Sequence, residues 1–243
     1  MSEMKKKDIL DEYWQDIDYR LEKLVQFGAA KLPSLEQFDL NALSDNISTE
    51  MGNLTFKELS FNHKKFLDEI KIDKYLTPKL LNIAQKRFDY KGNISNQYHI
   101  ARKVEPGNIK EMYRAHFDSH IFTLVLPIKI PDTKEEEKNC GELVYLPNIR
   151  SNPKNEISNI IGKAYFKRYA SKRGLERLSK NHKKKIENFK NYQPLIFFGK
   201  TTLHTNYPVS SSCVNYRLTL LAHFFDDSPK YGVGSFLRFL RNR

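Results

Sequence analysis

Three residues able to bind a metal stand at every second position in one short stretch of the chain, His116, Asp118 and His120. They run directly into the apolar, β-branched segment 121–126, Ile-Phe-Thr-Leu-Val-Leu. Side chains of a strand alternate between faces with a period of two, so the three polar groups share a face if the strand begins early enough. An imidazole and a carboxylate one residue apart on one face can hold one ion together, with the remaining ligand supplied from elsewhere. His204 is a candidate for it, closing the apolar run Pro194 to His204. Arg217 follows within another strand pattern, Tyr216 to Ala222. A guanidinium there would grip a carboxylate at two points and keep its proton at any working pH. Thr219 lies two residues on, on the same strand face.

The ordered set His116-x-Asp118, distal His204 and then Arg217 resembles the Fe(II)/2-oxoglutarate-dependent dioxygenase superfamily, and within it the phytanoyl-CoA-hydroxylase-like branch. The resemblance runs from Tyr98 to Asp226. It implies that His116, Asp118 and His204 bind Fe(II). Two histidines and a carboxylate on one side of the iron leave positions open for a co-substrate and dioxygen. It also implies that Arg217, assisted by Thr219 and with Tyr98 nearby, holds the far carboxylate of 2-oxoglutarate. His120, Thr123 and Asn206 are then groups that touch substrate or support the ligands. His120 shares strand parity with His116 and Asp118 and competes with His116 for the first ligand position. Halogenating relatives carry a small residue where Asp118 stands, so the expected outcome is hydroxylation with release of succinate and carbon dioxide.

These side chains need a β scaffold. The expected fold is mainly β with helical additions, a double-stranded β-helix (jelly roll, cupin-like) in a single domain spanning 1–243. Residues 97–228 would form its core and 1–92 a helical N-terminal support. Leu10, Tyr13, Ile17, Leu21 and Leu24 recur at helical spacing within Lys7 to Phe27, and Gly28 is a plausible stop. Ser34 to Thr49 is less regular. Leu54 to Asp89 reads as helix in two pieces broken near Thr77-Pro78, with His63 as a surface or packing histidine. Gln97 to Val104 reads as the opening strand, with Tyr98, Ile100 and Arg102 on one face. The charged stretch Asp132 to Asn139 reads as a loop. Cys140 to Asn148 reads as a strand in which Glu142 adds a further carboxylate, redundant beside Asp118.

Ser151 to Lys190 differs from the rest. It holds twelve basic residues against three acidic ones, a net of +9, so it carries most of the chain's net charge of +12. It reads as a helical insertion between two core strands, and its summed potential would attract an anionic molecule. The expected substrate is therefore small or carrier-bound and anionic. The alternatives are a nucleic-acid or protein oxygenase using the insertion, or a jelly-roll module without catalysis. Aromatic residues suited to base stacking cluster only at one end, Tyr165, Phe166 and Tyr169. Residues 229–243 read as a basic amphipathic tail that could touch an anionic membrane surface. Two cysteines suggest neither a disulfide framework nor a Cys-rich zinc site. No signal-peptide pattern opens the chain and no apolar run approaches the ~18 residues of a membrane span. These features point to a cytoplasmic home.

Overall fold

The computed structural model describes residues 3–58, 60–108, 112–132, 139–153 and 155–227. Two antiparallel sheets form its centre. The larger contains β1 (Ala29–Lys31), β2 (Phe56–Glu58), β3 (Gln97–Val104), β4 (His120–Lys129), β7 (Leu195–Phe198) and β9 (Arg217–Asp226), in the order β1-β7-β4-β9-β3-β2. The smaller contains β5 (Leu143–Leu146), β6 (Lys185–Glu187) and β8 (Leu203–Asn206), in the order β6-β5-β8. An isolated bridge between His116 and His204 adds one more rung beside β8. The result is the double-stranded β-helix expected from the sequence.

The two faces of the large sheet have different tasks. Leu124, Leu126, Ile196, Leu220, Ala222 and Phe224 are buried against the helices, in one core with Tyr13, Trp14, Leu24, Ile47 and Leu80. The opposite parity, Val125, Leu195 and Phe197, packs across to Leu143 and Tyr145 of the small sheet. Registers put Thr123 opposite His223, Pro127 opposite Thr219 and Tyr98 opposite His223. The inner face therefore carries Thr123, His223, Thr219, Arg217, Tyr98 and Arg102, because directly opposed residues of an antiparallel pair share a face.

Several boundaries differ from the sequence reading. The first helix is two, α1 (Glu3–Trp14) and α2 (Ile17–Phe27); α2 ends on Gly28 at φ +80°, a left-handed cap. The stretch from residue 34 leads into the regular helix α3 (Leu40–Met51), started by the Asp39 carboxylate accepting from the Ala42 amide at 3.0 Å. The next stretch is β2 followed by α4 (Phe61–Glu69), α5 (Ile72–Tyr75) and α6 (Thr77–Phe88). The break expected near Thr77-Pro78 falls at Leu76, and Pro78 lies in the first turn of α6, where a missing N–H costs nothing. His63 is fully buried, the packing alternative of its two readings.

The apolar run before His204 is not one strand. Phe198 ends β7, a turn spans 199–202, and β8 crosses into the other sheet. The basic insertion is helical in α7 (Glu156–Lys167) and α8 (Lys172–Ser179), but it also contributes the edge strand β6. The tail reading falls on residues 229–243, which lie outside the described residues, as do most of the 132–139 loop residues. Among the described residues no helix is long and apolar enough to cross a membrane.

Candidate metal centre

His116 and Asp118 precede β4 rather than lying in it, and each is fixed by backbone. The His116 amide donates to the His204 carbonyl and the His204 amide to the His116 carbonyl, both at 3.1 Å. The Asp118 amide donates to the Gly199 carbonyl at 3.0 Å. Gly199 permits this approach: a Cβ there would lie 2.7 Å from the His120 carbonyl oxygen and 2.9 Å from the Asp118 Cβ. Phe117, between the two polar residues, is buried on the other side with Leu146, Leu175 and Leu203. Burial of that outward neighbour helps turn His116 and Asp118 inward.

Among the described residues, His116, Asp118 and His204 are the one set of three whose ligand atoms all lie within 4.8 Å of each other. His116 Nε2 stands 3.5 Å from Asp118 Oδ1, and His204 Nε2 stands 3.5 Å from Asp118 Oδ2. The second nitrogen of each ring faces a backbone carbonyl: His116 Nδ1 lies 2.7 Å from Arg114 O and His204 Nδ1 lies 3.3 Å from Thr202 O. A carbonyl only accepts, so these contacts call for the proton on Nδ1 and leave a lone pair on each Nε2. Two lone pairs and an anionic oxygen then face one another with no donor between them. A cation satisfies that arrangement, and two imidazoles with a carboxylate suit a divalent transition metal such as iron.

Protonation states agree with this. Burial would raise the Asp118 carboxyl, but His204, His223 and His116 outweigh it and hold the group well below the usual carboxylate range. Burial pushes His204 down to about 4, against the opposing pull of Asp118. The carboxylate is thus charged and the His204 ring neutral at neutral pH, the forms that a metal takes.

A second layer holds Asp118 in place. The Thr123 hydroxyl donates to Asp118 Oδ2, and His223 Nδ1 lies 3.1 Å from the same hydroxyl oxygen. Since that hydroxyl spends its proton on Asp118, it accepts from His223. His223 is buried, and its pKa falls to about 4, chiefly through burial. His223 is a residue the sequence analysis does not single out. Its parity with Arg217 and Thr219 was the available signal. Arg102 was also passed over as a site residue; its positive charge reaches the centre and adds to the downward push on His204.

The other expected residues divide between two places. His120 is not in the ligand set; its ring stacks at 5.1 Å on His223 and at 6.0 Å on Tyr98. Tyr98 is partly exposed, with its hydroxyl donating to Glu58 Oε1 at 2.5 Å. Burial, then Glu58, raises the phenol to about 12. Arg217 and Thr219 are buried further along β9 and line one recess with Pro127, Lys129 and Glu142. The Arg217 guanidinium donates to the Gly141 carbonyl, toward which Asn206 Nδ2 also points at 3.4 Å. Gly141 has φ +81°, and a side chain there would press on Arg217. Glu142 accepts from the Cys140 amide at 3.1 Å and takes no part in the metal set. The two cysteines are free thiols with Sγ atoms 3.3 Å apart.

Comparisons with known proteins agree on the fold. A prolyl 4-hydroxylase of Pseudomonas putida superposes with a TM-score of 0.50 at 14% identity, covering 85% of this chain and 96% of that one. A prolyl 4-hydroxylase of Phytophthora capsici gives a TM-score of 0.53 at 11% identity, covering 96% and 73%. At such identities the likeness establishes the shared architecture. No family model and no curated protein matches the sequence.

Proposed function

We propose that the protein is an Fe(II)- and 2-oxoglutarate-dependent oxygenase, working as one dioxygenase domain. The observation that carries this reading is the meeting of two Nε2 lone pairs with one carboxylate in a β-helix core. Iron and 2-oxoglutarate, when bound, would supply with dioxygen the oxidation of an unactivated carbon–hydrogen bond, releasing succinate and carbon dioxide. His116, Asp118 and His204 would hold the metal. Thr123 and His223 would keep Asp118 aimed at it. Arg217, its charge fixed and buried, would hold the far carboxylate of the co-substrate with Thr219 alongside. Tyr98, stacked on His120 and His223, would meet co-substrate or substrate, and His120 would meet substrate rather than metal. The order of the motifs would place it in the phytanoyl-CoA-hydroxylase-like branch.

The substrate would be small or carrier-bound and anionic, hydroxylated at an aliphatic carbon in the cytoplasm. The basic insertion supports this, because it packs on the stretch that carries the ligands. Phe166 of α7 meets Phe117, between His116 and Asp118, with ring centroids 5.2 Å apart. Lys163 Nζ reaches Ser119 Oγ at 3.3 Å. A net of +9 beside the ligand segment would concentrate anions there, less so as salt rises.

The test is succinate release from 2-oxoglutarate by iron-loaded protein under air, with Asp118→Ala as background. Turnover above that background that chelation abolishes supports the reading. Release equal in the two proteins overturns it.

A further inference from the structure

The aromatic end of the insertion gains a second wall on folding. Gly174 of α8 is buried and lies so close that a Cβ would be 2.6 Å from the Tyr169 Cα. This brings α8 directly against the end of α7. Between them is a cavity of ≈ 560 Å³, within the range of small-molecule sites. Tyr165, Phe166 and Tyr169 supply rings, Arg168 and Arg177 supply guanidiniums, and His182 closes one side. None of the lining residues is acidic.

The lining has a definite order. The Arg168 guanidinium carbon lies 3.6 Å from the Tyr165 ring centre and 4.8 Å from that of Tyr169. Its Nη2 donates to the Tyr169 hydroxyl at 2.9 Å. Stacking and one hydrogen bond restrain the guanidinium while leaving further N–H groups to face a ligand. Arg177 adds a second fork from α8. Tyr165 is half exposed, so its ring remains open to another planar group. Guanidiniums in a fixed arrangement favour phosphate, and exposed aromatic faces favour a base. Lys172, Arg173, Lys180 and Lys183, close to the lining residues in the chain, are exposed.

We infer that this cavity binds a nucleotide unit, with the base against the tyrosine rings and the phosphate on Arg168 and Arg177. The inference rests on the reading of the insertion as an element that recruits anions; it does not depend on the metal chemistry. The unit would be either a free nucleoside phosphate or one residue of a single strand, since both present the same ring and phosphate.

Calorimetry with adenosine diphosphate and with inorganic phosphate, and anisotropy with a labelled single-stranded oligonucleotide, test it on the full chain. The comparison is with an Arg168→Gln/Arg177→Gln double variant and with Tyr165→Ala at an exposed position. Adenosine diphosphate or the oligonucleotide should bind more tightly than phosphate, weaken as salt rises, and lose at least about tenfold in the double variant. Binding of both probes identifies a free-nucleotide site; binding of the strand alone identifies a strand site. The inference is overturned if neither binds, if phosphate binds as well as either, or if the double variant is unchanged. Binding only to anionic phosphatidylserine vesicles, through exposed Ile157 and Ile161, also overturns it. Fe(II) and 2-oxoglutarate binding, measured on the same samples, should match wild type. Their loss in wild type would count against the oxygenase reading alone.

Discussion

His116 and His204, far apart in the chain, exchange both backbone hydrogen bonds at 3.1 Å and stand with ring centroids 4.4 Å apart. One antiparallel rung brings the two rings to one side, because opposed residues of such a pair project from the same face. Asp118 then needs only the two-residue step past Phe117 to set its carboxylate against both. The candidate centre is therefore a product of sheet pairing rather than of a flexible loop, and its geometry should survive loss of any bound ion.

Thr123 and His223 should matter for metal binding although neither belongs to the candidate ligand set. Thr123→Val removes the donor to Asp118, and His223→Phe removes the group that orients that hydroxyl. Support of this kind typically changes metal affinity by roughly 10- to 100-fold. Competition of Fe(II) or Mn(II) against a chelator should show a loss in that range for both variants, while Thr123→Ser stays near wild type. Equal affinity in all four proteins would remove the role.

Arg217→Ala should raise the KM for 2-oxoglutarate by roughly one to two orders of magnitude, through loss of a charge-assisted pair in a buried place. Arg217→Lys keeps the charge but loses the fork and should fall between the two. The Gly141 carbonyl loses a donor in either variant, so a thermal melt should accompany the kinetics. An unchanged KM in folded Arg217→Ala would reassign the anchor.

The candidate ligands were readable because their order and their closeness to apolar strands survive in one dimension. Choosing His116 over His120 rested on the family's His-x-Asp spacing, since both have the same parity; in the structure the bridge to His204 separates them, and it joins distant residues. His223 does not stand out in the sequence, because a histidine near a strand end is ordinary unless its cross-strand neighbours are known. Thr123, directly opposite it, turns it into a support for Asp118. The split of Pro194 to His204 into two strands was hidden for a related reason. The apolar run continues through a turn whose Gly199 serves the approach of Asp118, not the periodicity. The N-terminal helices were legible in type, but α3 was missed because its polar residues blur the apolar stripe.

His63 should make the fold acid-sensitive. It is fully buried, and burial, reinforced by His99 and opposed by Glu50, lowers its pKa to about 3. The unfolded chain takes up a proton near pH ~6.5, while the folded protein takes it up only near the lower value. Stability is therefore complete above the unfolded pKa and is lost as pH falls below it. At pH ~5 this one group costs about 2 kcal/mol. His99, His204 and His223, each lowered to about 4, act in the same direction. Denaturant melts of wild type and His63→Leu at pH ~7 and ~5 should show a smaller acid loss in the variant by about that amount. Parallel losses would mean that His63 is charged in the folded state.

The central claim is that His116, Asp118 and His204 hold a metal to which 2-oxoglutarate then binds. Anaerobic calorimetry tests it most directly: Fe(II) is titrated first, then 2-oxoglutarate, into wild type and into Asp118→Ala. The account predicts one Fe(II) per chain in wild type, 2-oxoglutarate binding that depends on that metal, and loss of both in the variant. Wild type that takes up no Fe(II), or an Asp118→Ala protein that binds metal and 2-oxoglutarate as well as wild type, would contradict it.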